Sequence, residues 1–129
     1  MNNEIERHYP KVAEKIYDVV PENFQAAYFH MEVTDDVWGG ELFYSTANKE
    51  YKYKNENLES VIEEVKTIRE LHKSSGEEPF TIVTFILMNT GKFSLEFGYD
   101  DISDFGRASE RRDEWINKQL GEEAKIDWY

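Results

Sequence analysis

The chain has 129 residues and a mass of 15.3 kDa, enough for one domain with a real core and too few for two ordinary ones. Its 40% hydrophobic and 15% aromatic content excludes a disordered chain, and the absence of cysteine excludes a disulfide framework and thiolate chemistry. A formal net charge of −12 argues against nucleic acid and anionic membrane as partners, because both are themselves polyanions.

The opening stretch "MNNEIERHYPK" carries neither a basic n-region nor an apolar h-region, so no signal peptide is expected. No apolar run approaches a bilayer span. The expected location is therefore the cytoplasm. A first helix is predicted over residues 3 to 19, where Ile5, Tyr9, Val12 and Ile16 recur at spacings of three and four. Pro10 either kinks this helix or lies in the first turn of a helix that starts beside it.

The aromatic run at 24 to 33, "FQAAYFHMEV", predicts a strand. A turn at "TDD" and a Gly39-Gly40 pair separate it from a second strand, "ELFYST". A short third strand, "EYKYK", puts Tyr51 and Tyr53 on one face and Lys52 and Lys54 on the other. That pattern suits a sheet edge. Residues 57 to 73 form the clearest helix, with Asn57 as N-cap and an apolar stripe of Leu58, Val61, Ile62, Val65 and Ile68.

Two β-prone runs flank Asn89-Thr90-Gly91 and predict a hairpin, the first strand central and the second half-buried. A last helix, about 107 to 120, buries Trp115, Ile116 and Leu120, and Gly121 ends it. The tail "EEAKIDWY" either docks or dangles. The expected architecture is α+β in the order α-β-β-β-α-β-β-α: one domain over residues 1–129, a mostly antiparallel sheet of about five strands, and three helices.

The negative charge is unevenly spread. No Lys or Arg interrupts 16 to 48, 74 to 91 or 93 to 106, and the twelve acids in those segments equal the whole imbalance. Asp35, Asp36 and Glu41 lie in the first segment, and Asp100, Asp101 and Asp104 in the third. Such a field attracts basic partners. For "YDDISD" the readings are a partner-binding edge, a solvated strand-to-helix turn with Asp104 as a cap, or a carboxylate site for catalysis or metal. Arg111 or Arg112 turning back onto Asp100 or Asp101 is a further expectation.

His8, His30 and His72 are not at metal-ligand spacing, and no phosphate loop or GxSxG occurs. His8 is expected at the surface, His30 on a strand and His72 at a helix end. No catalytic residue, metal or cofactor is expected.

The run "EEPFTIVTFILMNTGKFSLEFGYDDISD", followed by "ERRDEWINKQLG", resembles the YezG/EsaG-like immunity protein family. The resemblance rests on Pro79, Thr81, Phe85, Gly91-Lys92-Phe93, Phe97, Tyr99-Asp100-Asp101, Arg111 or Arg112, Trp115 and Leu120-Gly121, with Phe80 where the family usually has Trp. It implies a small acidic, non-enzymatic antitoxin that neutralises a cognate nuclease toxin, often one exported by a type VII secretion system. The partner would be the toxin's basic nuclease domain, with no direct contact to nucleic acid or membrane. Asp100, Asp101, Asp104, Asp35, Asp36 and Glu41 are the candidate partner-binding residues. The alternative is a small-molecule enzyme or metal-binding domain using Asp100 and Asp101. A third reading is self-association through an exposed edge strand such as 50 to 54.

Overall fold

The computed structural model describes residues 3–128. Its elements in order are α1 (Asn3–Glu6), α2 (His8–Tyr17), β1 (Ala26–Val33), β2 (Trp38–Ala47), β3 (Glu50–Lys54), α3 (Glu59–Ser74), β4 (Ile82–Met88), β5 (Phe93–Gly98), α4 (Ala108–Gln119) and β6 (Lys125–Asp127). A 3-10 turn, Phe105–Arg107, leads into α4. The α+β class and the order of the main elements are as the sequence implies. The sheet has six strands in the order β5-β4-β1-β2-β3-β6, antiparallel except where β6 joins β3 in parallel.

The side-chain alternation of β1 explains the layering. Ala27, Phe29, Met31 and Val33 point to one face, where they meet Val12 and Ile16 of α2 and Val61, Val65 and Ile68 of α3. Tyr28 points to the other face and joins Phe43, Tyr51, Tyr53, Trp115, Ile116 and Leu120. The sheet is thus a middle layer, with α1–α3 on one side and α4 on the other.

Four local expectations change. The predicted first helix is broken at Arg7, and Pro10 falls in the first turn of α2, where a missing N–H leaves no helical bond unmade. Asn57 is not the N-cap of α3: it adopts φ 59°, and Leu58 occupies the cap position. The glycine pair lies inside β2 rather than in a turn. A Cβ at Gly40 would come within 2.8 Å of the Phe29 ring, so that strand position tolerates no side chain. And β3 is not an edge: Tyr51 pairs with Ile126 of the tail, which docks as β6, while Trp128 packs on Phe43 and Tyr53. Tyr129 lies outside the described residues.

Other expectations hold. Gly91 in the β4–β5 turn and Gly121 after α4 have φ of 92° and 95°. Trp115, Ile116 and Leu120 are buried.

Candidate functional site

Strand register decides which acids meet. Val33 pairs with Trp38, Glu32 with Ile82, and Ile82 with Gly98. The β1–β2 turn and the segment after β5 therefore leave the sheet at the same end. Asp35, Asp36, Asp100, Asp101 and Asp104, separated in sequence, all belong to this end.

The turn is tight. Thr34 Oγ1 accepts from Val37 N at 3.0 Å, and Thr34 N donates to Val37 O at 2.7 Å. It throws the two aspartates to opposite fates. Asp35 accepts from Arg69 Nη1 at 2.7 Å and Lys73 Nζ at 2.9 Å, both on α3. The Arg69 hydrogen bond, then that from Lys73, holds its carboxyl below the ordinary range. Asp36 has no ion-pair partner among the described residues.

Past β5, the chain is fixed by its own side chains. Thr81 Oγ1 donates to Asp100 O at 2.7 Å. Asp101 Oδ1 accepts from Ser103 N at 2.9 Å, and Ser103, through side chain and backbone, pulls the Asp101 pKa down. Asp104 Oδ1 accepts from Gly106 N at 3.1 Å and caps the 3-10 turn, as its position before the last helix suggests. None of these three carboxylates forms an ion pair among the described residues.

The expected salt bridge from Arg111 or Arg112 to Asp100 or Asp101 is not formed. Arg111 instead grips Glu32 with a fork of two bonds, Nε to Oε2 at 2.7 Å and Nη2 to Oε1 at 2.9 Å, while Nη1 reaches Asp104 O at 2.9 Å. Arg112 donates twice to Glu41 Oε1, at 3.0 and 2.6 Å, and lies over the rings of Tyr53 and Trp128. The physical reason is the layer: α4 crosses the sheet face on which Glu32 and Glu41 stand, so its arginines meet those carboxylates, and Arg111 bonds the loop only at the Asp104 carbonyl.

Glu41 is also bonded to His30 Nδ1 at 3.0 Å. Burial raises the Glu41 pKa, but the hydrogen bonds from His30 and Arg112 together outweigh it and hold the group below its ordinary value. His30 is stacked on Trp115 with centroids 4.5 Å apart, and Trp115 Nε1 donates to Thr84 Oγ1 at 2.8 Å. Of the six candidate partner-binding acids, Glu41 is thus tied into the interior and Asp35 is neutralised by α3. Asp36, Asp100, Asp101 and Asp104 form no ion pair among the described residues, although Asp101 and Asp104 feel the charge of nearby Arg111. His8 is not a free surface residue either: its ring bonds Glu64, which also accepts from Lys15 at 2.9 Å.

Apolar side chains interleave with the unmatched acids. Val37, Trp38, Tyr99 and Phe105 are 46%, 46%, 48% and 57% exposed. An open groove of about 480 Å³ runs between the β1–β2 turn and the start of α4, with Val37 and Trp38 on one wall and Ile102 and Phe105 on the other. A second, of about 650 Å³, lies between α4 and β5 and is bordered by Asp100. Asp101 borders neither of these two grooves. The sequence gives no direct signal for the Glu32–Arg111 and Glu41–Arg112 pairs, whose members are 79 and 71 residues apart. The one hint was polar alternation in β1, where His30 and Glu32 share a face with Tyr28 and oppose Phe29 and Met31.

Comparison with known proteins agrees with the resemblance. The family model described as "Immunity protein YezG-like" matches residues 5–63 and 43–128. "Immunity protein YezG" of Bacillus spizizenii (strain ATCC 23059 / NRRL B-14472 / W23) is 25% identical over 129 residues, covering 88% of this chain and 80% of the relative. "Immunity protein YezG" of Bacillus subtilis (strain 168) is 25% identical over 112 residues, covering 73% of this chain and 72% of the relative. No helix among the described residues is long and apolar enough to cross a membrane.

Proposed function

Given that the chain belongs to the YezG-like immunity protein family and is a non-enzymatic inhibitor of a toxin, we propose that its target is the basic domain of a nuclease. The toxin would be one delivered by a type VII secretion system, and the chain would act on it as a single domain. A nuclease must hold a polyanion, so its substrate face carries Lys and Arg. A protein of net charge −12 is drawn to such a face.

The observation that carries this reading is the end of the sheet where Asp36, Asp100, Asp101 and Asp104 form no ion pair among the described residues and stand among exposed Val37, Trp38, Tyr99 and Phe105. Acids steer the encounter, and exposed aromatics supply the desolvated anchor that charge alone does not. Inhibition is by stoichiometric occupation of the surface that nucleic acid needs.

The experiment is co-expression with the toxin domain encoded beside the gene, followed by co-purification and a nuclease assay. The expected result is a stable complex whose nuclease activity is abolished at equimolar ratio. A complex with full nuclease activity, or a toxin with no nuclease activity at all, overturns the reading.

A further inference from the structure

The sheet ends differently on its two sides. On one, the three-residue β6 closes β3 and is flanked by Lys125 and Asp127. On the other, β5 is the last strand, and no described element lies outside it. Short length and charges of both signs protect the first edge; the second is twice as long and carries Glu96 as its one charge. The six residues Phe93–Gly98, "FSLEFG", contain no Lys and no Pro, and their register with β4 is unbroken from Gly98 to Phe93.

The direction of the free backbone groups follows from the ladder. Met88 N donates to Lys92 O at 2.8 Å, and Thr81 N donates to Gly98 O at 2.9 Å. The even-numbered residues of β5 therefore turn their backbone toward β4. By the antiparallel alternation, Phe93, Leu95 and Phe97 send N–H and C=O outward.

The side chains flanking this edge are of two kinds. Phe93, Leu95 and Phe97 lie on the α2–α3 side, and Phe93, stacked on Phe85, remains 39% exposed. On the α4 side stand Ser94 and Glu96, both exposed, beside the larger groove. That groove carries Glu96, Asp100 and Glu114 against Lys118, since Arg111 is already taken by Glu32. It runs on at Asp100 into the acidic end of the sheet.

We propose that β5 accepts an extended segment of the toxin as a seventh strand. Its side chains would alternate, apolar toward Phe93, Leu95 and Phe97, and Lys or Arg toward Glu96 and Asp100. Main-chain bonds supply affinity in such additions, and the alternating pockets supply selectivity. The inference rests on the toxin-binding reading above. A second copy of this chain fits the edge poorly. In the two face-matched antiparallel registers that pair most of β5, Glu96 is set against Ser94 or against Glu96, in chains that each carry −12.

The test uses the catalytically inactivated toxin domain encoded beside the gene. Amide hydrogen exchange is compared residue by residue in the free protein and the complex. Ser94→Lys/Glu96→Lys is measured in parallel, since both side chains are exposed, both residues keep their backbone bonds to β4, and the one side-chain bond lost is the exposed one from Gln119 Nε2 to Glu96. The expected result is that the amides of Phe93, Leu95 and Phe97 slow by about tenfold or more on binding. The double variant should melt like the parent and dissociate about tenfold faster at high salt, where steering is screened. A complex in which those three amides exchange as in the free protein overturns the inference and leaves the toxin-binding reading standing. So does a double variant that dissociates at the parent's rate. Protection of the edge in the isolated protein, rising with concentration alongside a dimeric mass, assigns it to a second copy and also overturns the inference. Absence of any complex with the parent chain overturns the toxin-binding reading, and this inference with it.

Discussion

Glu32 and Glu41 on the strands, and Asp36, Asp100, Asp101 and Asp104 in the loops, look alike in the sequence: all six lie in segments without a single Lys or Arg. In the fold they divide. Glu32 and Glu41 stand on the sheet face crossed by α4, and each is met there by an arginine. The four loop aspartates leave the sheet at its end, where two of them take a backbone N–H and none forms an ion pair among the described residues. A carboxylate under a helix must be matched, because its desolvation is costly. A carboxylate in a solvated loop costs little to leave unmatched, so its charge stays available to a partner. On the proposed reading, local charge density does not identify the recognition surface; charge left without an ion-pair partner after folding does.

The largest test of that division is Trp115→Ala. Trp115 is 8% exposed, stacks on His30, packs at a tilt against Phe43, and anchors α4, hence both arginines. Its loss should cost about 3–5 kcal/mol, read by chemical denaturation. A variant of parental stability that no longer binds toxin would move Trp115 from the core to the interface.

Next is Glu41→Gln, which strips the charge that His30 and Arg112 share. The expected cost is about 1–3 kcal/mol in thermal or denaturant unfolding, with toxin association little changed. The same group sets a pH dependence. The folded pKa of Glu41 lies below its ordinary value of 4.5, as does that of Glu64. Their contribution is fully present above that value and is lost as pH falls through the depressed folded values. Stability should hold steady from neutrality to about pH 5 and then decline, with a smaller decline in Glu41→Gln.

The smallest effect on stability is expected from Asp101→Asn with Asp104→Asn. Asn keeps the side-chain oxygen that accepts from Ser103 N and Gly106 N. The melting temperature should not move, while toxin association slows. A falling melting temperature in step with binding would make these residues structural.

The sequence made the frame legible because the frame is local. The apolar stripe of α3, the Asn89-Thr90-Gly91 turn and the end of α4 at Gly121 each depend on residues a few positions apart. What it hid was non-local. Lys on one face of β3 suggested an edge, but the tail, some 70 residues on, covers that strand. The Gly39-Gly40 pair suggested a turn, but Gly40 answers to the ring of Phe29 across the sheet. At the candidate site, six acids could be named from their segments, yet only the packing of α3 and α4 decides that Asp35 and Glu41 are already matched.

We propose that the loop acids without an ion-pair partner, and not total negative charge, draw in the toxin. The most direct measurement is the association rate of the inactivated toxin domain with Asp36→Asn/Asp100→Asn/Asp101→Asn/Asp104→Asn, taken from low to physiological salt. A control variant, Glu4→Gln/Glu14→Gln/Asp18→Asn/Glu22→Gln, removes the same formal charge from the N-terminal region. The loop variant should associate about tenfold more slowly at low salt and lose most of its salt dependence, while the control stays close to the parent. Equal slowing of both variants, or of neither, would contradict it.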